Sequence, residues 1–264
     1  MEKTTHLEDR GLDIAVDHST GQLCSLRSGD VEYMHHGKTA WLNTEMVMFP
    51  VVGPVRNHRV DVGSLAYALD QHGISRVVPF RVENSDDGSI SVVQHYDGSF
   101  LENPKGHNLR LNWMPYTLEK RFSIDKDVVS CELIVTNDSV FDMPYMIGWH
   151  PAFRVFGDVS FGSLAIDSST SLTLERLLKE GGVRLVKDVN SVEYVDDEHE
   201  GQGMIVASDD LDHAMIWSPG KESGLVCIEF VSHLPSEDRA YFTGDNEILE
   251  PGEKKSYTIT LEPF

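Results

Sequence analysis

The feature that most constrains this chain is a period-two alternation of apolar and polar residues that recurs along its length. Leu12, Ile14 and Val16 alternate with Asp13 and Asp17. Tyr116, Leu118, Phe122 and Ile124 alternate with Thr117, Glu119, Arg121 and Ser123, and Val129, Cys131, Leu133 and Val135 follow against Ser130, Glu132 and Thr136. Asp125-Lys126-Asp127 lies between those two runs, so they read as a β-hairpin. A second hairpin is expected from Phe80-Arg81-Val82 and Ile90 to Tyr96 around a turn at Asp86-Asp87-Gly88, and Tyr257, Ile259 and Leu261 form a closing strand. One-sided alternation is what antiparallel sheets with one buried face produce. No sustained 3.6-residue stripe is present, and Leu174 to Lys179 reads as one short helix. With no fixed-period repeat and no low-complexity stretch, the expectation is one all-β domain over residues 1–264, a sandwich of large antiparallel sheets. The acidic segment Val195 to Glu200 reads as a solvated loop.

Charge excludes several partners. The 22 Lys+Arg against 43 Asp+Glu give a net charge of -21, opposite to the basic footprint that nucleic acid or an anionic membrane requires. Acidity of this kind serves solubility and leaves neutral partners such as sugars unaffected. Cys24, Cys131 and Cys227 are odd in number and widely spaced, and two lie in apolar runs; buried free thiols in a reducing compartment are expected. The N-terminal ten residues have no apolar stretch of the signal-peptide kind, and the longest apolar run is Met46 to Val52, so the expected location is the cytoplasm.

Four segments carry candidate chemistry. In Gln71-His72-Gly73-Ile74-Ser75-Arg76 the glycine permits a turn beside a histidine, which reads as a general acid or base or as an ordinary loop histidine. In Gly148-Trp149-His150-Pro151-Ala152-Phe153 the proline ends strand pairing at a histidine that is either presented into a cleft or held in the core. Trp149 suits stacking on a sugar ring, yet shares a pocket with His150 only if the strand has already broken there, because strand neighbours point to opposite faces. Glu229 sits within Leu225-Val226-Cys227-Ile228-Glu229-Phe230-Val231. A carboxylate in an apolar strand is costly unless used or paired, so it reads as a base of raised pKa or as half of a structural ion pair. Asp212, in Leu211-Asp212-His213-Ala214, reads as an acceptor for sugar hydroxyls or as part of an acidic loop. Phosphate-loop, dinucleotide, serine-hydrolase and H-E-x-x-H zinc patterns are absent. The histidines do not fall into metal-ligand spacings, so no metal is expected.

Taken in order, these tags resemble the aldose 1-epimerases (galactose mutarotases), especially their shorter bacterial relatives. The likeness runs from Gly21-Gln22-Leu23-Cys24-Ser25-Leu26 and Gly29 to Tyr33, through Trp41 and Met48-Phe49-Pro50-Val51-Val52-Gly53, to the three stations at His72, His150 and Glu229. It ends on Ile248-Leu249-Glu250-Pro251-Gly252-Glu253 before the last strand. The resemblance implies a galactose mutarotase-like super-sandwich with an open sugar cleft, and a small-molecule sugar substrate with no cofactor. It implies Glu229 as general base on the anomeric hydroxyl, His150 as general acid on the ring oxygen, and His72 as a sugar hydrogen-bond partner. The larger relatives carry Gly-Arg-x-x-Asn-Arg where this chain reads Gly53-Pro54-Val55-Arg56-Asn57-His58-Arg59, which leaves Arg56 or Arg59 to take the arginine's place. Phe230-Val231 follows Glu229 in place of a Pro-Trp or polar pair and alters one pocket wall. Two alternatives stay open: an epimerase for a phosphorylated hexose, with Arg76 and Arg56 or Arg59 around the phosphate, and a non-catalytic carbohydrate-binding protein on the same fold.

Overall fold

The computed structural model describes residues 4–36, 41–85, 88–106, 108–156, 162–166, 171–180, 182–196, 202–220, 223–235, 241–242 and 246–264. Alternation becomes burial directly. In Val128–Asn137 every second side chain is buried, and Tyr116–Asp125 shows the same pattern over its first seven residues. The two strands pair antiparallel from Tyr116↔Asn137 to Asp125↔Val128, with Lys126 in the left-handed region at the turn.

This hairpin lies inside a nine-stranded antiparallel sheet. From one edge the order is Ser171–Thr173, Gly162–Ala165, Ser191–Asp196, Gln202–Ala207, Lys254–Pro263, Val128–Asn137, Tyr116–Asp125, Ser89–Tyr96 and Arg81–Ser85. A six-stranded sheet runs Gly182–Val186, His213–Ser218, Leu225–Val231, Gly148–Trp149 and Val47–Met48, with Ala152–Arg154 also paired to Leu225–Val231. A four-stranded sheet collects the N-terminal strands Thr4–Asp9, Leu12–Asp17, Leu23–Ser28 and Val31–Glu32. Leu118, Phe122 and Leu133 of the large sheet share one apolar cluster with Trp149, Ile216, Ile228 and Phe230 of the six-stranded sheet. Each such side chain removed from water contributes roughly 1.5–3 kcal/mol, so the two sheets are held face to face by this layer.

The seven-residue helix Leu174–Glu180 contains the short helix expected there. The Asp86-Asp87 part of the expected turn lies outside the described residues, as does 197–200 of the acidic segment; its start, Val195 and Asp196, belongs to a strand. Among the described residues no helix is long and apolar enough to cross a membrane.

Leu225–Val231 is buried at all seven positions. Val226, Ile228 and Phe230 face the core between the sheets. The alternate set, including Glu229, faces the other side of the six-stranded sheet, where a cavity lies.

Candidate active site

Register places the site. Leu185 lies opposite Met215, and Met215 opposite Glu229. The pairs Trp149↔Phe230 and Ala152↔Cys227 keep one register across Pro151, which sets His150 opposite Glu229. His150 and Met46 exchange backbone hydrogen bonds of 2.9 and 3.2 Å, so they too are opposed. Directly opposite residues share a face of a sheet. Leu185, Met215, Glu229, His150 and Met46 therefore form one row across five chain segments, and a parallel row brings Val183 opposite Trp217 and Trp217 opposite Cys227. A cavity of about 470 Å³ lies over these rows; loops bring Trp41, Gln71, His72, Arg76 and Lys105 to its walls.

His150 Nε2 lies 3.2 Å from Glu229 Oε1, with both side chains almost wholly buried. Burial holds the Glu229 carboxyl well above the usual carboxylate range. Burial also pushes His150 down to about 3, with the nearby Arg76 charge acting the same way. Both effects disfavour a net charge on the pair, so together the two groups hold one proton at neutral pH. Glu229 Oε2 is buried without a hydrogen-bond partner among the described residues. Such an orphaned acceptor in a cavity wall is positioned for a ligand hydroxyl.

His72 is clipped to the segment opposite it. Its N–H donates to Gly53 O at 2.9 Å, and its Nδ1 accepts from the Gly53 N–H at 3.1 Å. The residue sits at φ 64, and Gly73 follows at φ 78. A Cβ on Gly73 would stand 2.1 Å from Phe49 O, so the tight approach of this loop to the Phe49 backbone requires glycine. Because Nδ1 accepts, a neutral ring carries its proton on Nε2. Burial first, then the charges of His150, Arg76 and Lys105, keep the ring neutral by holding its pKa well below the usual value. The Gln71 amide nitrogen stands 3.1 Å from Nε2. His72 thus offers an N–H donor beside the His150–Glu229 pair, its ring centroid 5.6 Å from that of His150.

Arg76 lines the same cavity, and its Nη1 donates to Gln71 O at 3.3 Å. Lys105 reaches the wall with its Nζ 3.1 Å from Asp70 Oδ2.

The other candidates lie elsewhere. The backbone turns no corner at Trp149, so its indole points to the inner face, buried, and donates to Glu45 Oε2 at 3.0 Å. Arg56 and Arg59 are exposed and do not line the cavity; Arg59 pairs with Asp61 at 2.7 Å. Asp212 is exposed and also off the cavity wall. With Asp188 and His213 it brings three ligand-type atoms within 4.8 Å, at the surface.

Two aromatic walls were not singled out from sequence as site residues. Trp41 stacks on His150 with centroids 4.8 Å apart, and Trp217 meets the same ring edge-on at 5.7 Å. Only strand register could have revealed Trp217, through its place one step along from Met215.

No family model matches the sequence. The chain is 23% identical over 309 aligned positions to the protein LacX of Lactococcus lactis subsp. lactis, covering 98% of this chain and 99% of that one. A galactose mutarotase-like protein from Lactobacillus casei superposes with a TM-score of 0.83 at 21% identity, covering 99% of this chain and 100% of the other. A galactose mutarotase related enzyme from Lactobacillus acidophilus gives a TM-score of 0.85 at 18% identity, covering 99% and 97%. From register, core and these full-length superpositions, the chain has the galactose mutarotase-like fold.

Proposed function

We propose that the protein is an aldose 1-epimerase, interconverting the α and β anomers of a sugar with a free C1. The observation that carries this reading is the buried His150–Glu229 contact of 3.2 Å in a cavity wall, with Glu229 Oε2 left unbonded. Ring opening removes a proton from the anomeric hydroxyl and delivers one to the ring oxygen. Two adjacent groups that share a single proton suit that task. With Glu229 ionised and His150 protonated, Glu229 takes the hydroxyl proton as His150 gives its own to the ring oxygen and the C1–O5 bond breaks. The pair ends as a carboxylic acid and a neutral imidazole, with its total proton count unchanged. The open-chain aldehyde turns about C1–C2 and recloses with the roles exchanged. The net charge of the pair is zero in both states, and its dry surroundings favour the uncharged one. His72 Nε2–H serves as a fixed donor to the sugar beside the reacting oxygens. Trp217 and Met215 supply an apolar wall for the ring face.

The test is polarimetry of freshly dissolved α-D-glucose, α-D-galactose and α-D-glucose 6-phosphate with and without the protein. Faster approach to the same final rotation supports the reading. Sugar binding without acceleration would replace it with a non-catalytic carbohydrate-binding role.

A second reading, a substrate bearing an anionic group such as a phosphate, has one observation in its favour. The chain carries a net charge of -21, yet the charged residues on this cavity wall, among those described, are Arg76 and Lys105 with Glu229 as the single acid. The 6-phosphate arm of the same experiment separates the two.

A further inference from the structure

The acid role assigned to His150 raises a physical difficulty. The ring is buried in a setting that disfavours its charged form, yet proton delivery to the sugar requires the imidazolium. Among the described residues, the charged and titratable groups that share its cavity wall are Glu229 on the facing strand, His72 on the 71–73 loop, and Arg76 and Lys105 beyond it, while Glu45, on the neighbouring segment, turns to the other face of the sheet. Of these, Arg76 opposes a charge on His150, and His72 presents a neutral ring. Trp41 is different. Its ring lies nearly parallel to the imidazole, 29° between planes and 4.8 Å between centroids, which is the geometry in which an aromatic face attracts a cation. Trp217 closes a second side edge-on, at 72° and 5.7 Å, and stands 6.2 Å from Trp41. The imidazole is thereby confined in its plane, with Nε2 directed at Glu229.

We propose that Trp41 is a positioning residue for this reaction: its indole face holds the plane of the His150 ring and stabilises the imidazolium form from which the proton is delivered. The inference rests on the epimerase reading for the role of His150, and on the stacking geometry for the role of Trp41. Trp41 shifts the shared proton toward His150 and leaves Glu229 free as the base, without adding a second charged group to the site. A Phe in its place keeps an aromatic face of smaller area, and a Leu keeps bulk without one.

The experiment compares Trp41→Phe and Trp41→Leu with the wild-type protein in two measurements. The first is mutarotation, with kcat and KM determined separately. The second is the ¹⁵N chemical shift of the His150 ring in the sugar-free protein followed as pH is lowered, which reports where the imidazolium forms without any turnover. Loss of a face-on cation–aromatic contact predicts that Trp41→Leu lowers kcat about 2- to 30-fold, with KM within twofold. In Trp41→Leu the His150 imidazolium forms only at lower pH than in the wild type, and Trp41→Phe recovers most of both effects. A raised KM with kcat and the His150 shift unmoved would overturn the proposal and make Trp41 a sugar-stacking wall instead. Equal effects of Phe and Leu would overturn it too. If the wild-type protein accelerates no sugar, the epimerase reading fails by itself, and the ¹⁵N measurement still decides whether Trp41 governs the protonation of His150.

Discussion

Two buried acid–base pairs lie on opposite faces of the same stretch of sheet, and they are built differently. On the inner face Glu45 and Lys120 form an ion pair with side chains 0% and 1% exposed. Every polar atom there has a partner. Glu45 Oε1 accepts from Lys120 and from the Leu23 N–H, Glu45 Oε2 accepts from Trp149 Nε1, and Lys120 also donates to Gly21 O. On the outer face Glu229 meets His150 through one oxygen, and its other oxygen has no hydrogen-bond partner among the described residues. A buried ion pair is tolerated when its hydrogen bonds are all made, and it then fixes neighbours in place. A buried acid that leaves an oxygen unmade destabilises the fold at that point, and such a cost is characteristic of sites that bind or react. Two neighbouring residues, Trp149 and His150, connect the pairs, one reaching to each face.

The sharpest way to break this comparison is Glu229→Gln. If the outer pair is the chemical one, turnover falls by roughly two to four powers of ten, the worth of a positioned acid or base, while the melting temperature holds or rises. Polarimetry and thermal melts check both halves, and a variant that turns over normally would remove Glu229 from the mechanism. Lys120→Met is the converse. It strands the Glu45 charge and is expected to cost about 3–5 kcal/mol in denaturant unfolding, whereas Glu45→Leu combined with Lys120→Met recovers most of that loss. Equal stability of the single and double variants would show that the inner pair is not acting as a unit.

A pH series separates the pairs further. The folded-state pKa of His150 lies below its unfolded value, so its contribution is fully present above about pH 6.5 and is lost as pH falls from 6.5 toward 3. His150→Asn therefore flattens the dependence of unfolding free energy between pH 6 and 4 by up to about 1.4 kcal/mol per pH unit. Lys120→Met leaves that slope as it is. An unchanged slope in His150→Asn would show that the ring is not kept neutral by the fold. The smallest effect is expected at Arg59→Ala. The residue is exposed and off the cavity, so neither melting temperature nor turnover should move measurably; a clear fall in turnover would return Arg59 to the site.

The contrast between the faces also explains what sequence could convey. The hairpin at Tyr116 to Val135 was legible because period-two alternation over ten residues maps onto one buried face, and the structure pairs it in full. The segments around His72, His150 and Glu229 stood out as a histidine before glycine, a histidine before proline and an acid within an apolar run, all of which are local signals. Trp149 shows the limit. An indole adjacent to a site histidine suits a sugar, but side-chain direction alternates along the strand, and Trp149 serves Glu45 on the inner face instead. Lys120 and Glu45 lie far apart in sequence, and no local pattern announces their pairing. Trp41, Trp217 and Lys105 come to the cavity through loops and register alone.

The sequence by itself determined the alternation, and with it an all-β chain of antiparallel sheets, together with the residue types fit for proton transfer. Only the tertiary structure decided that His150 and Glu229 stand opposite each other, that Trp41 and not Trp149 covers the histidine, and that Arg76 and Lys105 reach the cavity while Arg56, Arg59 and Asp212 do not. The physical reason is that alternation fixes which face of a strand is buried, whereas cross-strand register and loop path fix which residues meet, and these depend on packing between segments distant in the chain.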